Sequence, residues 1–137
     1  FLNRMVKLAL PGTDKRKINI SVEPNDLLLY ADENLISQVV INLLKNAIHA
    51  SAEGNNPIHI FAYSNDDGQI IIEICDNGCG ISDEIVQHIF IPFFTTKESG
   101  SGIGLSVARQ IMRLHGGSLS LIRNTAQYHT IFRLAFA

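Results

Sequence analysis

The 137-residue chain has no surplus of basic residues: 11 Lys and Arg stand against 13 Asp and Glu, for a net charge of -2. That balance excludes the broad cationic surface nucleic-acid binding needs, and without an acidic tail no cationic partner is expected either. Long apolar runs are missing too. The longest fall far short of the roughly 20 residues of a membrane-crossing helix, so direct membrane contact is not expected. Phe1–Pro11 lacks the basic start and small-residue cleavage site of a secretion signal. Cysteine is scarce. Cys75 and Cys79 have no Cys or His ligands at regular spacing nearby, which argues against a metal centre. They read as two free thiols of a reducing, cytoplasmic compartment. No internal repeat, low-complexity stretch or domain boundary is visible.

What remains is an ordinary globular composition, 46% hydrophobic and 18% charged, at a length that can bury a real core. Phe1–Leu10 is compatible with a helix that Pro11-Gly12 ends. Ile18, Ile20 and Val22 alternate with polar residues as in a half-buried strand, and Leu27–Tyr30 reads as a second short strand. Asp32 is placed to cap a helix over Glu33–Ser51. There Ile36, Val39, Val40, Leu43, Ala47 and Ala50 recur at helical spacing, with Gln38, Asn42, Lys45, Asn46 and His49 opposite. Ile58–Ser64 and Gln69–Cys75 form a hairpin around Asn65-Asp66-Asp67-Gly68. Ser82 is placed to cap a short helix through Phe90, Pro92–Ser101 reads as a loop, and a helix spans Gly104–Leu114 before Gly116-Gly117. Ser118–Arg123 and Thr130–Phe136 close the chain as an antiparallel pair. Without regular strand–helix–strand alternation, the expected class is α+β: helices on one face of a mixed, mostly antiparallel sheet.

Four short segments carry candidate chemistry. Asn42 and Asn46 lie one helical turn apart, with His49 a turn beyond. Their carboxamides can offer neutral oxygen ligands to a hard cation such as Mg²⁺, or they can simply form a solvated face. Asp76-Asn77-Gly78-Cys79-Gly80 follows a strand, so a carboxylate at the strand end can accept from an exocyclic amine while the glycines admit a flat base. A plain turn is the alternative. Gly100-Ser101-Gly102-Ile103-Gly104 opens the helix that continues with Leu105-Ser106, and freed amides there suit phosphate, unless the glycines are only a linker. It is not a Walker loop, because no Gly-Lys-Ser/Thr ending follows. Lys97, in Phe93-Phe94-Thr95-Thr96-Lys97, can reach a γ-phosphate or stand as a surface lysine. Phe90, Phe93 and Phe94 read as core anchors for that loop.

In this order and spacing, the segments resemble the ATP-binding catalytic domain of two-component sensor histidine kinases. That domain shares its wider group with gyrase, mismatch-repair and heat-shock chaperone ATPases. Asn42–Ala50 looks like the N box, Asp76–Ile81 the G1 box, Phe90–Phe94 the F box and Gly100–Leu105 the G2 box. The resemblance covers about residues 15–137 and implies a two-layer α/β sandwich of the Bergerat type, with residues 1–14 a remnant of an upstream dimerisation helix. It implies that Asn46 coordinates Mg²⁺ with Asn42 assisting, and that Asp76 recognises the adenine of ATP, helped by Thr130. Gly78, Gly80 and Ile81 would shape the base pocket. Pro92–Ser101, including Thr95, Thr96, Lys97, Gly100 and Ser101, would form a lid, and the backbone from Gly102 through Ile103 and Gly104 to Leu105 would hold phosphates.

There are departures from the family pattern. His49 stands where Lys or Arg often contacts phosphate, and a histidine carries full charge only below neutral pH. The closing Gly-Thr-x-Phe pattern appears as His129-Thr130-Ile131-Phe132. Asn42 replaces the glutamate that activates water in the related ATPases, and an amide cannot act as a general base. This favours phosphoryl transfer over hydrolysis. None of His49, His59, His88, His115 or His129 lies in the His-Glu/Asp-x-x-x-Pro-like context of a phosphoacceptor. The resemblance therefore implies a histidine on the dimerisation domain of the same kinase as acceptor, and a response-regulator receiver domain as downstream partner. It further implies a homodimeric full-length protein, cytoplasmic or anchored in the inner membrane. Two alternatives stand beside it: a serine kinase of the anti-sigma-factor type, and a non-catalytic ATP-binding module.

Overall fold

A computed structural model of the chain describes residues 1, 5, 18–24, 27, 29–50, 57–92 and 104–136. Among the described residues five strands form one sheet: β1 (Ile18–Glu23), β2 (Ile58–Ser64), β3 (Ile70–Asp76), β4 (Ser118–Arg123) and β5 (Thr130–Phe136). Their order across the sheet is β1-β2-β3-β5-β4, with β1 parallel to β2 and every other pair antiparallel. Among the described residues, the helices α1 (Glu33–Ala50) and α2 (Gly104–Leu114) join this sheet in an α+β arrangement.

Each element has a local cause. The Asp32 carboxylate accepts from the Leu35 amide at 3.0 Å and caps α1, satisfying a donor that the helix itself cannot. The Asn65 side chain accepts from the amides of Asp67 and Gln69, which folds the β2–β3 turn. At the end of α2, Gly116 has φ +69. Its amide bonds Arg113 O and that of Gly117 bonds Met112 O, the Schellman arrangement that ends a helix on a left-handed glycine. Gly117 is fixed for another reason: a Cβ there would sit 2.3 Å from Ala135 O.

The core lies between the helices and one face of the sheet. Ile36, Val39, Val40, Leu43, Leu44 and Ala47 of α1 and Ala108, Ile111 and Met112 of α2 are buried. They belong to one cluster with Ile58, Ile60, Ile72, Ile74, Leu119, Phe132 and Leu134. Side chains alternate across a strand, so the inner face shows rows of paired residues such as Ile60–Ile74–Phe132–Leu121. On the opposite face Arg133 donates to Glu73 at 2.7 Å, and His59 stacks on Phe61 with ring centroids 4.0 Å apart.

Two expectations fail. Leu27, Leu29 and Tyr30 form no strand and pair with none of the described residues, and Tyr30 is 99% exposed; apolar composition without a ladder partner does not make a strand. From Ser82 to Phe90 there is only a single 3-10 turn, Val86–His88. Ser82 accepts through its carbonyl rather than capping through its hydroxyl. Eight residues are too few to propagate a helix without strong caps. In Phe1–Leu10, Met5 bonds Phe1 O and is helical, and the other residues lie outside those described.

Candidate functional site

The inner face of the sheet changes character at one end. Beyond the row containing Ile74, Phe132 and Leu121, the next row is Asp76, Thr130 and Arg123, paired across β3, β5 and β4. Three polar side chains thus stand at the rim of an apolar layer. Asp76 is 2% exposed and Thr130 3%. The Thr130 hydroxyl is buried with no hydrogen-bond partner, and such a group calls for a ligand or an ordered water. One Asp76 oxygen accepts from the Gly78 amide at 3.0 Å. Burial pushes the Asp76 carboxyl above its ordinary range, while the Gly78 amide and the nearby His129 draw it back. An acid made this costly to ionise, beside an unsatisfied hydroxyl, suits recognition of an amine-bearing group.

The loop after β3 is folded by its own sequence. Gly80 has φ +72, a left-handed conformation that glycine adopts without penalty. The Cys79 amide bonds Ala50 O at the end of α1, so the acid-bearing loop and the asparagine-bearing helix are joined directly. Arg123 donates to Ile81 O at 2.8 Å and pairs with Asp83 at 2.9 Å, holding the far side of the loop.

On α1, Asn42 and Asn46 are half-buried, whereas Gln38, Lys45 and His49 are exposed. Burial therefore separates the two carboxamides from the merely solvated polar face. Asn42 lies against the start of α2: a Cβ built at Gly104 would come within 3.7 Å of its carboxamide carbon. Residues 62 positions apart are brought together where the first amides of α2 open, a position that favours anions. Leu105 packs against the core and fixes that end of the helix. The donor set fits Mg²⁺, which is content with few protein ligands when phosphates and waters supply the rest. Among the described residues no group of three or more His, Cys, Asp or Glu could hold a metal by itself.

Of the residues singled out in the sequence, Asp76, Gly78, Gly80, Ile81 and Thr130 fall at this rim, whose loop bonds the end of α1 through Cys79 and Ala50. Asn42 meets Gly104 where α1 and α2 adjoin, and Asn46 lies one turn further along α1. His49 is on the same helix but exposed. Thr95, Thr96, Lys97, Gly100, Ser101, Gly102 and Ile103 lie outside the described residues. Phe90, the described member of the aromatic set, is half-buried and carries Arg109 over its ring at 5.0 Å. Arg123, Asn77 and His129 were not foreseen as supports. Only His129 left a trace in the sequence, by standing where the pattern has glycine.

Residues 31–137 match the family described as histidine kinase-, DNA gyrase B-, and HSP90-like ATPase, and the chain belongs to that family. Similar proteins within it include kinases. The signal transduction histidine-protein kinase AtoS of Escherichia coli (strain K12) is 42% identical over 117 residues, which are 84% of this chain and 19% of AtoS. Sporulation kinase B of Bacillus subtilis (strain 168) is 41% identical over 103 residues, 75% of this chain and 24% of that protein. The chain thus spans about a fifth to a quarter of the length of these relatives. Among solved structures, the nucleotide-free catalytic domain of histidine kinase ThkA superposes with a TM-score of 0.83 at 31% identity, over 98% of this chain and 88% of that one. The α+β fold expected from the sequence is therefore the fold of a histidine kinase catalytic domain.

Proposed function

We propose that the chain binds Mg-ATP and donates its γ-phosphoryl group to a histidine on the dimerisation domain of a sensor kinase, for relay to an aspartate of a response-regulator receiver domain. The observation that carries this reading is the buried Asp76 carboxylate paired in register with the buried, partnerless Thr130 hydroxyl. The free Asp76 oxygen would accept from the adenine 6-amino group, and Thr130 would reach the ring through a bridging water. Asn46, with Asn42 beside it, would hold Mg²⁺, which supplies charge neutralisation at the phosphates. The opening amides of α2, next to Asn42, would face the phosphate chain.

Such a site works by position and charge. An acceptor imidazole nitrogen attacks the γ-phosphorus, a nitrogen–phosphorus bond forms, and the bond to the departing ADP oxygen breaks. Asn42 offers no base to activate water, so the phosphoryl group would survive until the acceptor arrives. Three of the chain's own histidines are already engaged: His59 bonds Ser21, both ring nitrogens of His115 have partners, and His129 bonds Gly78 O.

The experiment is a calorimetric titration with Mg-ATP followed by incubation with γ-³²P-ATP. Residues 1–137 should bind nucleotide, label themselves negligibly, and label a supplied dimerisation domain of a related kinase on histidine. Acid-labile phosphate accumulating on this chain alone, or no nucleotide binding, would refute the reading.

A further inference from the structure

The geometry points to His129 as a positioning residue for base recognition: it pins the Gly78 peptide, whose amide in turn orients the Asp76 carboxylate. This rests on the proposed reading of Asp76 as the group that meets adenine. Gly78 is held from both sides. Its N–H donates to Asp76 Oδ1 at 3.0 Å, and its carbonyl lies 2.8 Å from His129 Nδ1. A carbonyl can only accept, so Nδ1 carries the proton and the imidazole is the donor. The His129 amide donates at 2.8 Å to Asn77 Oδ1 and at 3.1 Å to Asp76 O. Asn77 Nδ2 donates onward to Gln127 O at 2.8 Å. The loop after β3 is therefore tied to the start of β5 at three successive residues.

The anchor itself is stiff. The Thr125 amide and hydroxyl donate to Tyr128 O, the Tyr128 amide donates to the Thr125 hydroxyl, and the Asn124 amide donates to His129 O, so the turn before β5 is braced by its own hydrogen bonds independently of the loop. Thr130, next to His129 in sequence, is paired with Asp76. One short segment thus supplies both the hydroxyl beside the acid and the clamp on the peptide that aims it. A glycine at position 129 would leave the hydroxyl and lose the clamp. His129 is exposed, so it contributes to no core and its effect should be confined to the site.

The test compares wild type, His129→Ala and His129→Asn by titration with Mg-ATP and with Mg-ITP, whose base carries an acceptor in place of the 6-amino group. Asparagine is the informative replacement, because its Nδ2 occupies the place of the imidazole Nδ1 as a donor. Wild type should prefer ATP. His129→Ala should bind ATP roughly 3- to 10-fold more weakly, the ratio one net hydrogen bond supports, with a smaller loss for ITP, so that the preference narrows. His129→Asn should restore it. An unchanged preference in His129→Ala, or an asparagine variant as weak as alanine, overturns the role of His129. A wild type with no preference for ATP overturns the adenine reading itself. Independently of any variant, ¹⁵N–¹H correlation of the wild-type imidazoles should show His129 protonated at Nδ1 when neutral, and a neutral Nε2–H form would overturn the clamp.

Discussion

Replacing Asp76 by asparagine tests the site with almost no change of shape. The Gly78 amide is a donor and lies 3.0 Å from Asp76 Oδ1, so an asparagine must keep its carbonyl oxygen there. Its NH₂ group then takes the place of the second carboxylate oxygen and meets the adenine amine donor to donor. A hydrogen bond to a charged group contributes about 1.5–3 kcal/mol. At about 1.4 kcal/mol per tenfold in Kd, its loss weakens ATP binding roughly 10- to 150-fold, and the opposed donors place the result toward the upper end. The same NH₂ group suits the oxygen acceptor of Mg-ITP, so the order of preference should reverse. Stability should move the other way. Burial raises the folded-state carboxyl above its ordinary value of 3.8. Wild-type stability from this group is therefore fullest below 3.8 and declines as pH rises through the raised value, because the folded state resists ionising. Denaturant unfolding of the empty proteins should show Asp76→Asn gaining on wild type across that window. Equal ATP affinity in the two proteins, or an unchanged preference for ATP over ITP, would refute the reasoning.

Other expectations are independent of that one. Gly117→Ala places a methyl 2.3 Å from Ala135 O and should cost about 2 kcal/mol in chemical denaturation as the turn is forced from the strand. Arg123→Ala should weaken nucleotide binding a few-fold by freeing Ile81 O. Asp83→Asn should change it little, since Asp83 is 92% exposed and such pairs contribute little; a comparable loss in both variants would show that the ion pair, not the carbonyl bond, holds the loop. Burial pushes the Cys75 thiol up to about 12, while Cys79 is exposed. Native protein should therefore react with one equivalent of a thiol reagent and unfolded protein with two. From the same shift, unfolded chains ionise Cys75 above the ordinary 9.0 while folded ones do not. Stability present below pH 9 should then fall as pH rises toward 12, and Cys75→Ala should flatten that decline.

Periodicity revealed the elements that bury a whole face. The stripe from Ile36 to Ala47 and the alternation in β2, β4 and β5 located those segments to within a residue or so of their observed ends, because burial alone dictates both patterns. It failed where apolar residues lacked partners in the fold. Leu27–Tyr30 has the composition of a strand, but its described positions pair with none of the described residues, and Ser82–Phe90 has helix signals but only one buried side chain, Ile89. The site was legible as a set of motifs, not as an arrangement. No local rule says that Asn42 meets Gly104, or that Asp76 and Thr130 share a row whose third member is Arg123. Those contacts depend on strand register and helix packing over separations of 40 to 62 residues, which also hide the roles of His129 and Arg123.

Because Asp76 ends a strand flanked on both sides while Asn42 and Gly104 meet only at a helix–helix seam, the two ends of a bound nucleotide would experience different mechanics. The purine would dock on a strand hydrogen-bonded on both sides, and the triphosphate at a junction held by side-chain packing. A bound nucleotide would then lean on the backbone ladder at its base and on the fit of two helix surfaces at its phosphates.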